Sequence, residues 1–271
     1  MADALAPAAL QELEDFALDL ARAAGAAILP LFRADHGLED KGPAGAFDPV
    51  TAADRGAEAA IRQAVAARFP DHGVIGEEYG EDRPDAEFVW VLDPVDGTRA
   101  FIAGLPLWTT LIALRHRGRP VVGLIAQPYL DEVFVGSGGQ SRLIRDGSER
   151  SLAVRPCPRL TDATIATTDP ALFTGAEMGA WTQVRAAARL ARLGCDAYAY
   201  AMVASGTMDL VIEAGLKAWD IDAAIPLVEG AGGLVTDWRG EAVGDKGGQI
   251  VIAGDPACLD EALVALKRSA A

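Results

Sequence analysis

Two acids close an apolar run that reads Trp90-Val91-Leu92-Asp93-Pro94-Val95-Asp96-Gly97-Thr98. The run predicts a strand, and strand ends are where side chains leave a core, so Asp93 and Asp96 emerge together. Pro94 holds its φ at about −65° and limits the turn between them. Converging carboxylate oxygens suit a hard cation, and with the Val95 carbonyl they would supply part of a magnesium shell. Gly97 allows the backbone to approach a ligand closely, and the N–H groups of Gly97, Thr98 and Arg99 could open a short helix aimed at a phosphate. Taken alone, the same residues also describe an ordinary turn with solvated acids.

Other acids stand at comparable places. Val74-Ile75-Gly76-Glu77-Glu78 is a second apolar run ending on glycine and paired acids, with Glu78 read as a solvated neighbour or a base partner. Asp220 opens a predicted helix, where an aspartate is often only an N-cap. Asp196 has the same alternative before Ala197, and Glu213 could be a surface strand residue. Asp48 falls on a loop made irregular by Gly37, Gly42, Pro43 and Gly45. His36, His72 and His116 are scattered without ligand spacing and read as loop or surface residues. Cys195 reads as packed rather than reactive.

Several elements must position these groups. Leu10, Leu13, Phe16, Leu20, Ala24, Ile28 and Leu31 recur at three- and four-residue spacings, which predicts an amphipathic helix over 8–33. Thr51 and Asp54 have capping-box spacing for a second helix from Ala52 to about Phe69, stopped by Pro70. Strand-like runs follow at Val89 to Leu92, Leu107 to Leu114, Val121 to Ala126 and Val133 to Gly136, in an order that suits an antiparallel or mixed sheet. After Pro156 and Pro158 helices alternate with single strands, which divides the chain into an N-terminal α+β lobe, 1–155, and a C-terminal α/β lobe, 156–271. Strands are expected at Ala163 to Thr167, Leu210 to Glu213, Gly233 to Thr236 and Gln249 to Ala253. Helices are expected at Asp196 to Ala204, Ile221 to Gly230 with a kink before Pro226, and Pro256 to Lys267.

With 271 residues, 51% of them hydrophobic, the chain can fill a large core without staples. Three cysteines without paired spacing, and no basic and apolar leader, make a reducing cytoplasm the expectation. No apolar run approaches a membrane span of roughly 18 residues. The 24 Lys+Arg against 39 Asp+Glu give a formal charge of −15, which argues against a nucleic-acid polymer as partner. That charge would also repel a phosphate ester unless cations reverse the local sign, which again points to metals.

In order and spacing, Asp48-Pro49-Val50-Thr51, Gly76-Glu77-Glu78, Asp93 to Thr98 and Trp219-Asp220 resemble the signature of the inositol monophosphatase superfamily, lithium-sensitive and magnesium-dependent phosphatases. The resemblance implies an α/β fold, a layered α-β-α-β-α sandwich with the site between its two sheets, and two or three magnesium ions per site. It implies that Glu77, Asp93, the Val95 carbonyl and Asp96 surround the first metals while Asp96 and Asp220 share another. It places Thr98 and Asp48, with Glu77, in the catalytic group that activates the attacking water, and puts the phosphate against Glu77, Val95, Asp96, Gly97, Thr98 and Asp220. A homodimer acting on a small phosphate ester is common in the family.

Four stretches resemble the histidinol-phosphate phosphatase branch: Thr98 to Trp108, Leu193 to Ala201, Asp209 to Lys217 and Ile225 to Gly233. Asp196 and Glu213 would then offer negative charge to a substrate carrying an ammonium and an imidazole. An inositol-1-phosphate phosphatase or a broad sugar phosphatase is the alternative. Trp219 departs from the Tyr or Phe usual in that branch, and Ala100 and Ile221-Asp222 depart from its commonest pattern.

Overall fold

The computed structural model describes residues 5–35, 37–42 and 49–271. The first helix, α1 (Pro7–Ile28), buries Leu13, Ala17, Leu20, Ala24 and Ile28 along one stripe. It stops short of the expected Arg33 in a 3₁₀ turn, Leu29–Leu31, because Pro30 has no N–H to continue the ladder. After a two-stranded pair, β1 (Glu39–Asp40) and β2 (Pro49–Val50), the capping box of Thr51 and Asp54 starts α2 (Ala52–Arg68).

The large sheet holds eight strands. They are β3 (Gly73–Gly76), β4 (Gly80–Asp82), β5 (Phe88–Asp96), β6 (Thr109–His116), β7 (Arg119–Gln127), β8 (Glu132–Ser137), β9 (Gln140–Arg145) and β10 (Ser148–Ser151). Only β3 and β5 pair in parallel; the other neighbours are antiparallel, so the sheet is mixed. A short helix, α3 (Thr98–Ile102), separates β5 from β6.

The chain then crosses to a five-stranded sheet in the order β12-β11-β13-β15-β14. Its strands are β11 (Thr164–Thr167), β12 (Leu190–Leu193), β13 (Leu210–Leu216), β14 (Leu234–Thr236) and β15 (Gly248–Ala253). Its helices are α4 (Ala176–Ala187), α5 (Tyr198–Ala204), α6 (Ala218–Ile221), α7 (Ala224–Gly230) and α8 (Pro256–Leu266). The single helix expected over 221–230 is two, broken at Asp222-Ala223 ahead of Pro226.

Alternation along the strands sorts side chains into three cores. Trp90 and Leu92 of β5 face α1 and α2, while Val89 and Val91 face a second core shared with α5, α7 and the inner side of the small sheet. The outer side of the small sheet, with Ile165, Leu210 and Ile212, packs on α4 and α8 around Trp181 and Trp238. The result is the α-β-α-β-α sandwich. Both faces of each sheet are covered, which is why the central strands are apolar without a polar repeat.

Paired glycines let α7 lie directly on the large sheet. Gly123 of β7 and Gly136 of β8 are cross-strand partners, and a Cβ at 123 would fall 2.2 Å from the Ala223 carbonyl oxygen. Because that neighbour is backbone, Gly123→Ala is expected to lower stability by about 1–3 kcal/mol in urea denaturation; an unchanged midpoint would show that the contact is not this tight.

Candidate active site

Asp93 and Asp96 are three residues apart, so on a regular strand their side chains would point to opposite faces. The ladder with β6 pairs Asp93 with Leu111 and next Asp96 with Thr109, so Pro94 and Val95 together oppose Thr110. This bulge restores the parity and turns both carboxylates to one side. The Pro94 carbonyl accepts from the Thr110 hydroxyl at 2.8 Å, the Val95 N–H donates to Asp93 at 3.1 Å, and the Ala197 N–H donates to Asp96 at 2.7 Å.

Asp220 arrives from α6. It occupies the third helical position rather than the cap, and it accepts from the Lys217 N–H at 2.6 Å. One oxygen from each of Asp93, Asp96 and Asp220 lies within 4.8 Å of the others. Burial, then the charges of Glu77, Asp96 and Asp220, push the Asp93 carboxyl well above the usual range. Burial, then Asp196, does the same to Asp96. An all-oxygen, half-buried and mutually repelling donor set fits a divalent cation of the magnesium type.

Glu77, Val95, Gly97, Thr98 and Asp196 line the same cavity of about 260 Å³ as these three aspartates. Glu77 lies outside the close cluster: its Oε1 is 3.3 Å from the Lys41 ammonium. Burial first, and then the neighbouring acids against the pull of Lys41, leave its carboxyl pushed up to about 7. Of the two readings of Glu78, a solvated neighbour or a base partner, the first does not hold: its side chain is 3% exposed and bonded to Lys41 at 2.7 Å. The turn carrying both is held from beneath by Glu58 of α2, whose carboxylate accepts from the N–H groups of Glu78 and Tyr79 at 2.8 and 3.2 Å. A side chain at Gly76 would overlap Glu58, so the glycine is what admits this support.

Gly97 adopts φ +81° and opens α3, as its place in the motif implied. The Thr98 hydroxyl lies 3.0 Å from the Val95 carbonyl and 3.4 Å from an oxygen of Asp54. Asp48, the expected partner of Thr98, lies outside the described residues. Spacing alone gives Asp54 a capping role. It has that role, taking the N–H and hydroxyl of Thr51 on one oxygen at 2.8 and 2.6 Å, but its other oxygen faces the site. The missing signal was geometric: an acid in the first turn of a helix points out of the same end as the cap.

Asp196 is not a helix cap. It has φ +46° just before α5, and a Cβ at position 97 would lie 3.2 Å from its Cγ, so its carboxylate stands over Gly97. Burial, partly offset by Arg99, pushes it up to about 6. Glu213 behaves differently from the expectation. It is buried and receives the Thr167 hydroxyl at 3.1 Å, the Thr168 N–H at 2.7 Å and the Thr168 hydroxyl at 3.0 Å. Burial nevertheless pushes it up to about 8. It is Thr168, held in this way, that lines the cavity. His72 and His116 are structural: His72 accepts from the Trp90 indole at 3.2 Å, and His116 is buried against Phe88 with Glu87 3.2 Å away. Cys195 is buried, as expected.

Comparison with known proteins agrees with this geometry. The model of the inositol monophosphatase family matches residues 9–270. The bifunctional phosphatase IMPL2, chloroplastic, of Arabidopsis thaliana is 43% identical over 85% of this chain and 68% of its own length. A histidinol-phosphatase of Chlorobaculum parvum is 36% identical over 71% of this chain and 73% of its own. The solved structure of an inositol monophosphatase from Zymomonas mobilis superposes with a TM-score of 0.85 at 38% identity, covering 96% of this chain and 99% of that one. An acid cluster built on a bulged strand and a single-turn helix, inside this sandwich and with these relatives, makes the chain a phosphatase of the inositol monophosphatase family.

Proposed function

We propose that this phosphatase is magnesium-dependent and hydrolyses L-histidinol phosphate to L-histidinol and inorganic phosphate, a step of histidine biosynthesis. The family is metal-dependent, and Asp93, Asp96 and Asp220, with Glu77 and the Val95 carbonyl beside them, would hold two or three magnesium ions. Bound magnesium would acidify water and offset charge on the phosphoryl oxygens. The chain's own part is to orient and exclude. Thr98 points its hydroxyl between Val95 and Asp54, so Asp54 can accept a proton relayed through Thr98 from a water in the cavity. The N–H groups of Gly97 and Thr98, on the cavity wall at the start of α3, would hold the phosphoryl oxygens.

Asp196 is the observation that carries the substrate reading. It puts a carboxylate on the cavity wall next to the phosphate-facing glycine, and among the described residues it accepts no hydrogen bond. An ammonium or imidazolium on the far end of the ester would complete it. Glu213 acts one step behind, by fixing Thr168. The alternative, an inositol-1-phosphate or broad sugar phosphatase, is favoured by Trp219 ahead of Asp220 and by the likeness to the Zymomonas mobilis inositol monophosphatase.

Measured with magnesium, kcat/KM is expected to be higher on L-histidinol phosphate than on inositol 1-phosphate; the reverse order would establish the alternative. Asp196→Ser should cost roughly ten- to a hundred-fold on histidinol phosphate and much less on p-nitrophenyl phosphate, whereas equal losses would remove the ammonium-binding role. Asp54→Asn keeps the Thr51 cap in shape but cannot take a proton, so kcat should fall by about 10²- to 10⁴-fold with KM little changed. Retention of full turnover would assign the proton to another group.

A further inference from the structure

We infer that the buried ion pair between Arg115 and Asp222 is the positioning device that sets Asp220 against Asp93 and Asp96, and through that distance tunes the affinity of the site for its cation. The helix that carries Asp220 has four residues, Ala218–Ile221. A single turn has too few internal hydrogen bonds to hold its own orientation, so its rotation must be fixed from outside. Asp222 closes that turn by donating its N–H to the Ala218 carbonyl at 2.9 Å. Its carboxylate then meets Arg115 fork to fork, accepting from Nε and, at 3.0 Å, from Nη2. The same Nη2 donates to the Asp245 carbonyl at 3.0 Å.

Arg115 sits on β6, the strand whose register with β5 places the bulge holding Asp93 and Asp96. The three metal-facing carboxylates are thereby tied into one frame: two through the β5–β6 ladder, the third through the ion pair two residues beyond it. Both partners are buried, Arg115 at 8% and Asp222 at 4% exposure. A buried ion pair adds little net stability over an apolar pair of similar volume, whereas its bidentate fork fixes a direction that apolar contacts leave free. Ile221 and Ala218, buried on the same turn, supply the apolar contact but no such direction. Asp222 is also one of the residues at which this chain departs from the pattern it otherwise resembles.

This inference rests on the reading of Asp220 as a metal ligand, and the test separates the two. Mn²⁺ binding is followed by the loss of the free-ion EPR signal, with folding checked by circular dichroism. Asp222→Asn, and the double variant Arg115→Met with Asp222→Leu, should weaken Mn²⁺ binding about 10- to 100-fold. Leu263→Ala, in the outer core far from the site, should bind Mn²⁺ like the unaltered protein despite its lower Tm. The double variant leaves no unpaired buried charge, so it carries the test if Asp222→Asn does not fold. Mn²⁺ affinity within about twofold of the unaltered protein in the folded variants would overturn the proposal. So would an equal loss in Leu263→Ala, or a double variant that cannot fold, since each assigns the pair to the fold as a whole. If Asp220→Asn binds Mn²⁺ normally, the ligand reading itself fails; if it loses the ion while Asp222→Asn keeps it, only the positioning role fails.

Discussion

Carboxylate oxygens held within 4.8 Å of one another repel, by roughly 3 kcal/mol or more per ionised pair at an effective dielectric of about 20. Burial first, and then the neighbouring carboxylates, raise the proton affinities of Asp93 and Asp96, while burial alone raises that of Asp220 against the pull of Lys217. The surrounding fold supplies the constraint that keeps them together. Each acid is reached by a donor that cannot move independently: the Val95 N–H on Asp93, the Ala197 N–H on Asp96, the Lys217 N–H on Asp220. Backbone donors are suited to this because they hold a carboxylate without cancelling its charge, leaving it available to a metal.

Glu77 illustrates the other way of holding an acid. Its turn is supported by Glu58 from α2, and its charge is shared with Glu78 around Lys41. A lysine is a movable, singly charged partner on a flexible stem, so it can hold the acid in the cavity wall and still give way. The contrast with Asp93 is informative. Among the described residues, the most deeply placed acid is held by a backbone N–H, and the one at the cavity rim is held by the Lys41 ammonium.

Much of this was legible in the residue order, and the parts that were not share a physical cause. The two opening helices, the central strands and the acid-bearing turns announced themselves through periodicity, capping spacing and Gly or Pro punctuation, and the sandwich followed from the resemblance those motifs carried. Local pattern does not encode partnership. The helix α4 was missed although Ala180, Trp181 and Val184 mark its buried side, because Met178 and Gly179 blur the stripe. The edge strand β12 was missed because its pairing with β11 is parallel and distant, and its exposed leucines show no alternation. Asp54 and Glu213 mark the same limit. Each had an adequate local explanation, a cap and a surface strand, and each takes its role from residues more than 40 positions away.

The long sequence separations have a further consequence. Asp93 and Asp96 belong to the large sheet, while Asp220, Asp196 and the Ala197 N–H follow strands of the small one, and the two groups meet over the core shared by Val91, Leu111, Ala199, Val211 and Ile250, bridged by the Ala197 N–H on Asp96. The cavity is therefore a property of the docked sheets and of neither alone. A cation drawn to Asp93 and Asp220 together would be bound to both halves of that junction, so its binding free energy would add to the docking of the sheets. By offsetting the like-charge repulsion among these acids, such a cation would couple its own binding to the assembly of the sandwich. With such a cation bound, an acidic chain of charge −15 would present a phosphate ester with a point where the local charge is reversed.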